Sequence, residues 1–470
     1  MILSWRTRLL YGLGQLPEGI KSAAFGFFLL FYYNQVLGLS GAQTGVALFI
    51  ALLFDAISDP LVGALSDFTR SRWGRRHPYL YGSALPFSIC FAALFIPPSG
   101  LSETGLFVWL LTFATLTRTT MSFYQVPFLS MGAELSQDYD ERTLLAALRN
   151  VFQLLGMFAV LIGGNLLFFS ETETFSNGQL NPAAYAPFAF ACAPLMFAGV
   201  WLTAIGTHDQ IATLPKPSDI KRPPLIRAAM GDVFTAFHIR AFVAVVVASI
   251  LFGVNQGMIQ ALHLYLATYF FELANTQITL LFAGAIAGIV LGSLLSRPLS
   301  QIIHEKRTLF IAGSLWYAGW TSIVIILRLV GVLPDNEHPL VAPLYITCGC
   351  ISAIGLGVAI PMIGSLVADI TDEHERRHGT RQEGIYYAAA SFAGKAVGGV
   401  GPIVAGIIID MSGITPGTPP GEISAEAITR FGWFTGPGVI TLSLLSVLAI
   451  SFYNITRARH AQTLADLNRE

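Results

Sequence analysis

Twelve long apolar segments constrain the fold of this chain more than any other feature of its sequence. A transmembrane helix needs roughly 20 largely apolar residues, and each segment is long enough to supply them. Only 12% of the residues are charged and 54% are hydrophobic, whereas a soluble domain carries roughly 25% charged residues. We therefore predict an all-α membrane protein with twelve transmembrane helices. The predicted spans cover residues 10–36, 41–66, 79–98, 105–135, 144–168, 184–206, 240–270, 277–299, 308–330, 341–369, 384–411 and 431–453.

The basic residues are distributed unevenly between the loops. With twelve spans both termini lie on one side, and 21 of the 27 Lys and Arg residues fall in the loops and tails of that side. Only Arg328 and Arg430 fall on the opposite side, and the other four lie within spans. By the positive-inside rule both termini are cytoplasmic. The formal net charge of −1 gives no indication of a nucleic-acid partner.

The longest polar stretch, residues 208–239, divides the chain into two halves of six spans. The two halves resemble each other in sequence at two places. Pro127 followed by Glu134 in the first half corresponds to Pro361 followed by Asp369 in the second, and the segments after the second span of each half are also similar. Two similarities in register indicate a parallel repeat. This is the major facilitator plan of two pseudo-symmetric six-helix bundles, with the solute site between them. The predicted units are an N-terminal bundle (1–207), a cytoplasmic linker (208–239), a C-terminal bundle (240–453) and a cytoplasmic tail (454–470).

Two carboxylates on the second predicted span are the main candidates for chemistry. Asp55 and Asp59 are four residues apart, so they share one face of a helix. Buried carboxylates repel each other and require a bound cation, a proton or a basic partner. With the hydroxyl of Ser58 they offer the hard oxygen ligands that Na⁺ prefers. The alternative is that both acids form salt bridges with loop arginines near the cytoplasmic end.

Basic residues inside the spans are candidates for solute binding because charges within a bilayer are costly. Arg149 in the fifth span and Lys395 in the eleventh could bind solute hydroxyls or carboxylates, with structural ion pairs as the alternative. Arg118 could neutralise Asp55 or Asp59, which would weaken the case for Na⁺.

Three further polar side chains lie within the predicted spans. Glu18 on the first span lies three residues before Lys21 and could pair with it. Tyr124 and Gln125 on the fourth span line the cavity or pack between helices.

The loop that follows the second predicted span is rich in arginine. Its basic residues, including Arg72 and Arg75, carry the positive-inside signal. We also expect them to act as a cytoplasmic gate by pairing with Glu134 or Asp138. Asp369, the counterpart of Glu134 in the second half, is assigned the same gating role.

Together these motifs resemble those of the glycoside–pentoside–hexuronide:cation symporters, the melibiose-carrier branch of the major facilitator superfamily. The most specific combination is Asp55-Ala-Ile-Ser-Asp59-Pro60 followed by Ser71-Arg-Trp-Gly74. The resemblance covers nearly the whole chain. The other matching residues are Tyr11-Gly-Leu-Gly14, Phe31-Tyr-Tyr33 before Gly38-Leu, Pro78-Tyr, Pro127-Phe, Arg149, Ala368-Asp369 and Lys395.

The resemblance implies roles for several residues. Asp55 and Asp59 would hold a coupling Na⁺ or H⁺, assisted by Ser58 and by Ser122. Arg149 would help to bind the substrate, and Lys395 would lie near both sites.

The chain also departs from the sugar-binding melibiose carriers. Gly19, beside Glu18, stands where they have an Asp, so the resemblance makes Glu18 and Gly19 candidates for substrate binding. Gln125 and Leu129 stand where they have an Asp and an aromatic residue, which argues against a galactoside.

From these observations we predict a Na⁺- or H⁺-coupled symporter of a sugar or glycoside that works by alternating access. A carrier of a lysolipid or another amphiphile is the second possibility, and a membrane enzyme or receptor is the third. The only predicted metal ligands are Asp55 and Asp59, for Na⁺ if coupling uses sodium, and no other cofactor is expected. We expect a functional monomer with a small solute and the lipid bilayer as its partners, in a bacterial inner membrane.

Overall fold

The fold is a bundle of long helices, and the computed structural model describes residues 3–136, 138–175, 177–214, 239–378, 394 and 399–467. Of residues 139, 377 and 378 it describes the backbone alone. The N-terminal half contains α1 (Trp5–Leu13), α2 (Leu16–Ala23), α3 (Leu29–Phe31), α4 (Gly41–Phe68), α5 (His77–Leu94), α6 (Glu103–Leu135), α7 (Tyr139–Phe158), α8 (Gly164–Leu167) and α9 (Tyr185–Gly206). Three π-helical turns, Ala24–Phe28, Tyr32–Val36 and Ala159–Gly163, extend or join these helices.

The C-terminal half continues the same architecture. Its helices are α10 (Arg240–Tyr265), α11 (Asn275–Ile303), α12 (Lys306–Leu329), α13 (Val341–His378), α14 (Val400–Ser412), α15 (Ala425–Ser451) and α16 (Arg457–Asp466). A π-helical turn, Leu266–Phe270, extends α10.

Nine helical segments of the described residues are long and apolar enough to cross a membrane, which makes the chain a multi-pass membrane protein. They match nine of the twelve predicted spans. The first predicted span is divided between α1, α2, α3 and two π-helical turns, and the third is the 18-residue helix α5. Most of the eleventh lies outside the described residues, which include its end in α14. The count of twelve therefore remains a prediction.

Side-chain caps and buried glycines account for much of the local geometry. Ser40 begins α4 by accepting a hydrogen bond from the Gln43 N–H (3.2 Å), as polar residues at helix N-caps commonly do. Where helices cross, small residues allow backbones to approach closely. A Cβ added to Gly41 would lie 2.6 Å from the Gly406 carbonyl oxygen, so α4 and α14 are in direct backbone contact across the two halves.

Among the described residues, the hydrogen bonds between the two halves lie at one end of the bundle. We call the end of the bundle at which α1 begins and α15 ends the terminal end, and we call the other the far end. At the far end the Tyr265 hydroxyl donates to Asn34 (2.8 Å) and the Tyr269 hydroxyl donates to Gln35 (2.9 Å). Within the described ranges every hydrogen bond joining the halves falls in segments that the topology brings to the far end. The far end is therefore closed in this conformation.

The predicted division into two bundles, a linker and a tail stays a prediction. Residues 215–238, most of the proposed linker, lie outside the described part of the chain.

Candidate functional site

A large polar cavity lies between the two halves, with a volume of about 1460 Å³ including its mouth. Helices α2, α4, α6 and α7 contribute to its wall from one half, and α10 and α14 contribute from the other. Its position agrees with a solute site between related bundles. The polar residues that line it are Gln15, Glu18, Lys21, Ser22, Asp55, Asp59, Arg118, Ser122, Gln125, Gln153 and Gln260.

Three predicted cation ligands converge on one wall of this cavity. Asp55 is buried, and its Oδ1 accepts a hydrogen bond from the Ser122 hydroxyl (2.8 Å). The Ser58 hydroxyl lies 3.0 Å from the Ser122 hydroxyl and 3.1 Å from the Asp55 carbonyl oxygen. Packing of α4 against α6 brings these oxygens together. Such a cluster of hard oxygens suits a small monovalent cation or a proton.

Asp59 lines the same cavity one helical turn after Asp55. The next residue, Pro60, has no N–H, so it cannot bond the carbonyl of Ala56 within the helix. The sequence therefore leaves a backbone carbonyl between the two carboxylates without its usual helical donor. Among the described residues no group of three or more His, Cys, Asp or Glu side chains is arranged to hold a metal, so hydroxyls or carbonyls would have to complete a Na⁺ site here.

Arg118 is the cationic residue nearest to this cluster in the described structure. Its Nη1 lies 3.7 Å from Asp55 Oδ2, and its guanidinium lies over the ring of Phe25, 5.0 Å from the centroid. From the sequence, neutralisation of Asp55 or Asp59 by Arg118 was one possibility. The distance is long for a direct hydrogen bond, so the pair is electrostatic and leaves Asp55 Oδ1 to Ser122.

The same cavity also carries groups suited to a polyhydroxylated solute. Glu18 pairs with Lys21 (2.9 Å) and accepts a hydrogen bond from Ser22 (2.7 Å). Gln125 donates to Gln15 across the cavity wall (3.2 Å). Carboxylate, ammonium and amide groups together offer both donors and acceptors for hydroxyls.

Three other predicted solute-binding residues are not part of the cavity wall. Tyr124 is fully buried and donates its hydroxyl hydrogen to the Gly14 carbonyl (2.8 Å). Gly19 lies against α7, because a Cβ there would be 2.0 Å from the Gln153 carbonyl oxygen. Arg149 is half-buried and interacts with the Tyr11 hydroxyl. Lys395 lies outside the described residues.

The predicted gating residues form ion pairs at the terminal end. Arg75 and Arg76 both donate to Glu134 (2.7 Å each), and Arg76 also pairs with Asp67 (2.7 Å). All these residues belong to the N-terminal half, so the pairs tie the loop to α6 and do not bridge the halves. The equivalent place in the other half holds a pair between Lys306 and Asp369 (2.6 Å).

The other two gating candidates have different neighbours. The Arg72 guanidinium lies over the Trp73 ring, 5.3 Å from its centroid. Asp138 caps α7 by accepting a hydrogen bond from the Glu141 N–H (2.9 Å). Their gating roles stay predictions.

Sequence reasoning missed four polar residues of the cavity, which are Ser22 and the three amides Gln15, Gln153 and Gln260. A signal was present, because an amide in an apolar span needs a hydrogen-bond partner that lipid cannot supply. Gln15 lies three residues before Glu18, and Gln153 lies four residues after Arg149, which is helical spacing.

Comparison with known proteins adds to this geometry. The family model described as "MFS/sugar transport protein" matches residues 10–457. The chain is 25% identical to the isoprimeverose transporter of Lactiplantibacillus pentosus over 100% of its own length and 92% of the relative's. It is 23% identical to the glucuronide carrier protein homolog of Escherichia coli K12, over 99% and 96% of the two chains.

A solved structure shares the fold. The crystal structure of a D-xylose–proton symporter aligns with a TM-score of 0.65 over 96% of this chain and 98% of the other, at 14% identity.

Proposed function

Because the chain belongs to the MFS/sugar transport protein family, we propose that it is a secondary active transporter that carries a sugar or glycoside together with Na⁺ or H⁺. The predicted membership of the glycoside–pentoside–hexuronide:cation symporters and the predicted major facilitator fold are confirmed by this family match and by the shared fold. Relatives named as carriers of isoprimeverose and of glucuronide support a saccharide cargo.

One observation carries the proposal: a buried carboxylate with hydroxyl partners lies on the wall of a polar cavity between the halves. A permanent ion pair would not need a wide cavity beside it. A transporter needs such an arrangement, because the driving cation and the solute must reach sites that communicate.

Binding of the solute and binding of the cation would be coupled because both ligands favour the same conformation of the protein. A ligand shifts an equilibrium only by its differential affinity for the two states. If Na⁺ or H⁺ at Asp55 and Asp59 releases Arg118 from Asp55, the guanidinium becomes available to a solute hydroxyl or carboxylate in the same cavity. Solute binding would by linkage raise the affinity for the cation by the same factor.

The finer features of the proposal are these. The chain acts as a monomer in a bacterial inner membrane, with cytoplasmic termini and without catalytic turnover of its solute. Ion-pair exchange at Glu134 and Asp369 accompanies alternating access. Arg149 and Lys395 contribute to binding of the solute.

Uptake into proteoliposomes tests the proposal. The full-length protein is reconstituted and presented with radiolabelled glucosides, galactosides, xylosides, glucuronides and lysophosphatidylcholine, under a Na⁺ gradient or a pH gradient applied separately. We expect accumulation of at least one saccharide above its external concentration under one gradient, and its loss in Asp59→Asn.

The control is Asp335→Asn, which makes the same chemical change in an exposed loop at the far end. It should accumulate the solute as wild type does. Accumulation that survives in Asp59→Asn would refute the cation site, and transport of lysophosphatidylcholine without any saccharide would replace the cargo with an amphiphile.

A further inference from the structure

A second cavity adjoins the polar one and has a different chemical character. It has a volume of about 930 Å³ including its mouth, and it lies among α10, α11, α12 and α13 with a few residues of the N-terminal half. Its wall is mainly apolar. The aromatic residues that line it are Phe27, His263, Phe282, Tyr317, Trp320 and Tyr345.

Among the described residues, the two cavities share one lining residue. Gln260 lines both of them. Its amide packs against the Cα of Gly26, where an added Cβ would lie 2.4 Å from the Gln260 Cδ. Gly26 faces the polar cavity while its neighbour Phe27 faces the apolar one. A ligand that reached past Gln260 would therefore occupy both spaces.

Within the part of the chain that the structure describes, a polar atom of the apolar cavity has no hydrogen-bond partner. The imidazole of His263 lies beside Phe282 (5.4 Å between ring centroids, nearly parallel) and edge-on to Phe27 (5.8 Å). Its Nε2 is buried and has no hydrogen-bond partner in the described structure. Buried polar atoms in native proteins are normally satisfied, so this nitrogen is suited to a group that a ligand brings.

We propose that the second cavity binds the aglycone of a glycoside whose sugar occupies the polar cavity. The inference rests on the proposed function and specifies its substrate class. The aglycone is compact and aromatic, because rings line the wall and aromatic pairs favour offset-stacked or edge-to-face contacts. It carries one hydrogen-bonding substituent, which His263 meets.

Two other occupants fit the wall less well. A second sugar would bring many hydroxyls into a mainly apolar space, where unpaired polar groups are costly. An acyl chain would fill the space but would leave the Nε2 of His263 without a partner. An aromatic aglycone with one polar substituent both packs against the apolar wall and gives the Nε2 of His263 a hydrogen-bond partner.

The test compares matched pairs of glycosides. Binding of methyl and phenyl glucoside, galactoside, xyloside and glucuronide to the purified full-length protein is measured by calorimetry, with lysophosphatidylcholine as a further ligand. We expect the phenyl glycoside of at least one sugar to bind at least tenfold more tightly than its methyl partner. A 4-hydroxyphenyl glycoside should bind more tightly still, and His263→Phe should abolish that extra gain.

Filling the cavity provides the decisive variant. Ala285 lines the second cavity on α11, and Ala285→Phe should reduce the phenyl-to-methyl affinity ratio below about threefold. The matched control is Leu280→Phe on the same helix, where the side chain is 60% exposed on the outer surface, and it should keep the wild-type ratio. If Ala285→Phe does not fold, as judged by an aggregated profile in size-exclusion chromatography, Ala353→Leu on the facing helix α13 fills the same cavity in its place.

The outcomes separate the two proposals. A wild-type ratio near one, or a ratio that the filling variants leave unchanged, overturns the aglycone inference while saccharide binding stands. Failure of every glycoside to bind overturns the proposed function and the inference together. Binding of lysophosphatidylcholine that the filling variants weaken, without any glycoside binding, assigns the cavity to an acyl chain and also overturns the inference.

Discussion

The carboxylate of Asp410 accepts a hydrogen bond from the backbone N–H of Gly41 (2.8 Å), which joins the end of α14 in one half to the start of α4 in the other. Its second oxygen accepts from the N–H of Ala42 (2.8 Å). The first N–H groups of a helix have no partner within the helix, and its dipole favours an anion there. The acid therefore caps a helix of the opposite half and holds the far end closed.

Removing this charge should open the far end. In Asp410→Asn one oxygen is replaced by an amide group that cannot accept, and the interaction with the helix dipole is lost, at a cost of about 1–2 kcal/mol. We expect a roughly 5- to 30-fold shift toward conformations open at the far end. A cysteine at Leu48, which lines the polar cavity, should react correspondingly faster with a membrane-impermeant maleimide added from the far side.

The control for this experiment is Glu426→Gln, another acid of the same half at the far end, which pairs only with Arg430 among the described residues. Both variants are made in a background that lacks the four native cysteines. Equal labelling rates in Asp410→Asn and the parent protein would show that the cap does not hold the far end closed.

Arg118 should compete with the coupling cation for Asp55. The two side chains are 3.7 Å apart inside the cavity, so Arg118→Gln removes one positive charge from the neighbourhood of the carboxylate. We expect the variant to be less stable without added cation, because losing one member of a buried pair commonly costs about 3–5 kcal/mol. If Na⁺ is the driving ion, the rise in Tm from 0 to 100 mM NaCl should be larger than in wild type, since ligand binding stabilises the folded state.

Two controls accompany this measurement. Arg297→Gln removes an exposed arginine from α11 and should respond to NaCl as wild type does. Choline chloride replaces NaCl at the same ionic strength. An unchanged Na⁺ response in Arg118→Gln would mean that the guanidinium does not oppose cation binding.

The sequence predicted the chemistry of the cavity better than its shape. Asp55 and Ser58 share α4, and their position within an apolar segment was enough to mark them as costly and therefore functional. Their meeting with Ser122 on α6 depends on how two helices pack. Only the family resemblance indicated that meeting, because the spacing within one helix carries no information about its neighbour.

The features that join the halves could not be predicted from helical periodicity. The Asp410 cap exists because Gly41 and Gly406 let two backbones touch, and the register of such a contact is set by packing of the whole bundle. Gln260 illustrates the same limit. Its position between two cavities depends on Gly26 of the other half, more than 200 residues away in sequence.

Gly19 should prove to be a packing residue and not a contact of the solute. A Cβ at this position would lie 2.0 Å from the Gln153 carbonyl oxygen, so Gly19→Ala must push α2 away from α7. Overpacking of this kind typically costs about 1–3 kcal/mol, and we expect a lower Tm in detergent without ligand. Gly163→Ala is the matched control because no atom lies within 4 Å of its added Cβ. A normal Tm combined with a raised KM in Gly19→Ala would instead indicate contact with the solute.

His77 should make the protein less stable in mild acid. Its ring is buried at the start of α5, with Nε2 3.1 Å from the Thr207 hydroxyl. Burial, and to a lesser extent His208, lowers its pKa from 6.5 to about 4, while a hydrogen bond with Thr207 and, more weakly, Asp209 oppose the shift. Well above pH 6.5 the residue is neutral in both the folded and the unfolded state and contributes no pH dependence. As the pH falls from 6.5 toward 4, the unfolded chain takes up a proton that the folded protein does not, so the free energy of unfolding decreases by roughly 2–3 kcal/mol.

Thermal unfolding of the detergent-solubilised protein between pH 7.5 and 4.5 measures this decrease. His77→Gln is expected to show a smaller decrease in Tm than wild type. Identical pH profiles for the two proteins would show that His77 does not cause the loss of stability.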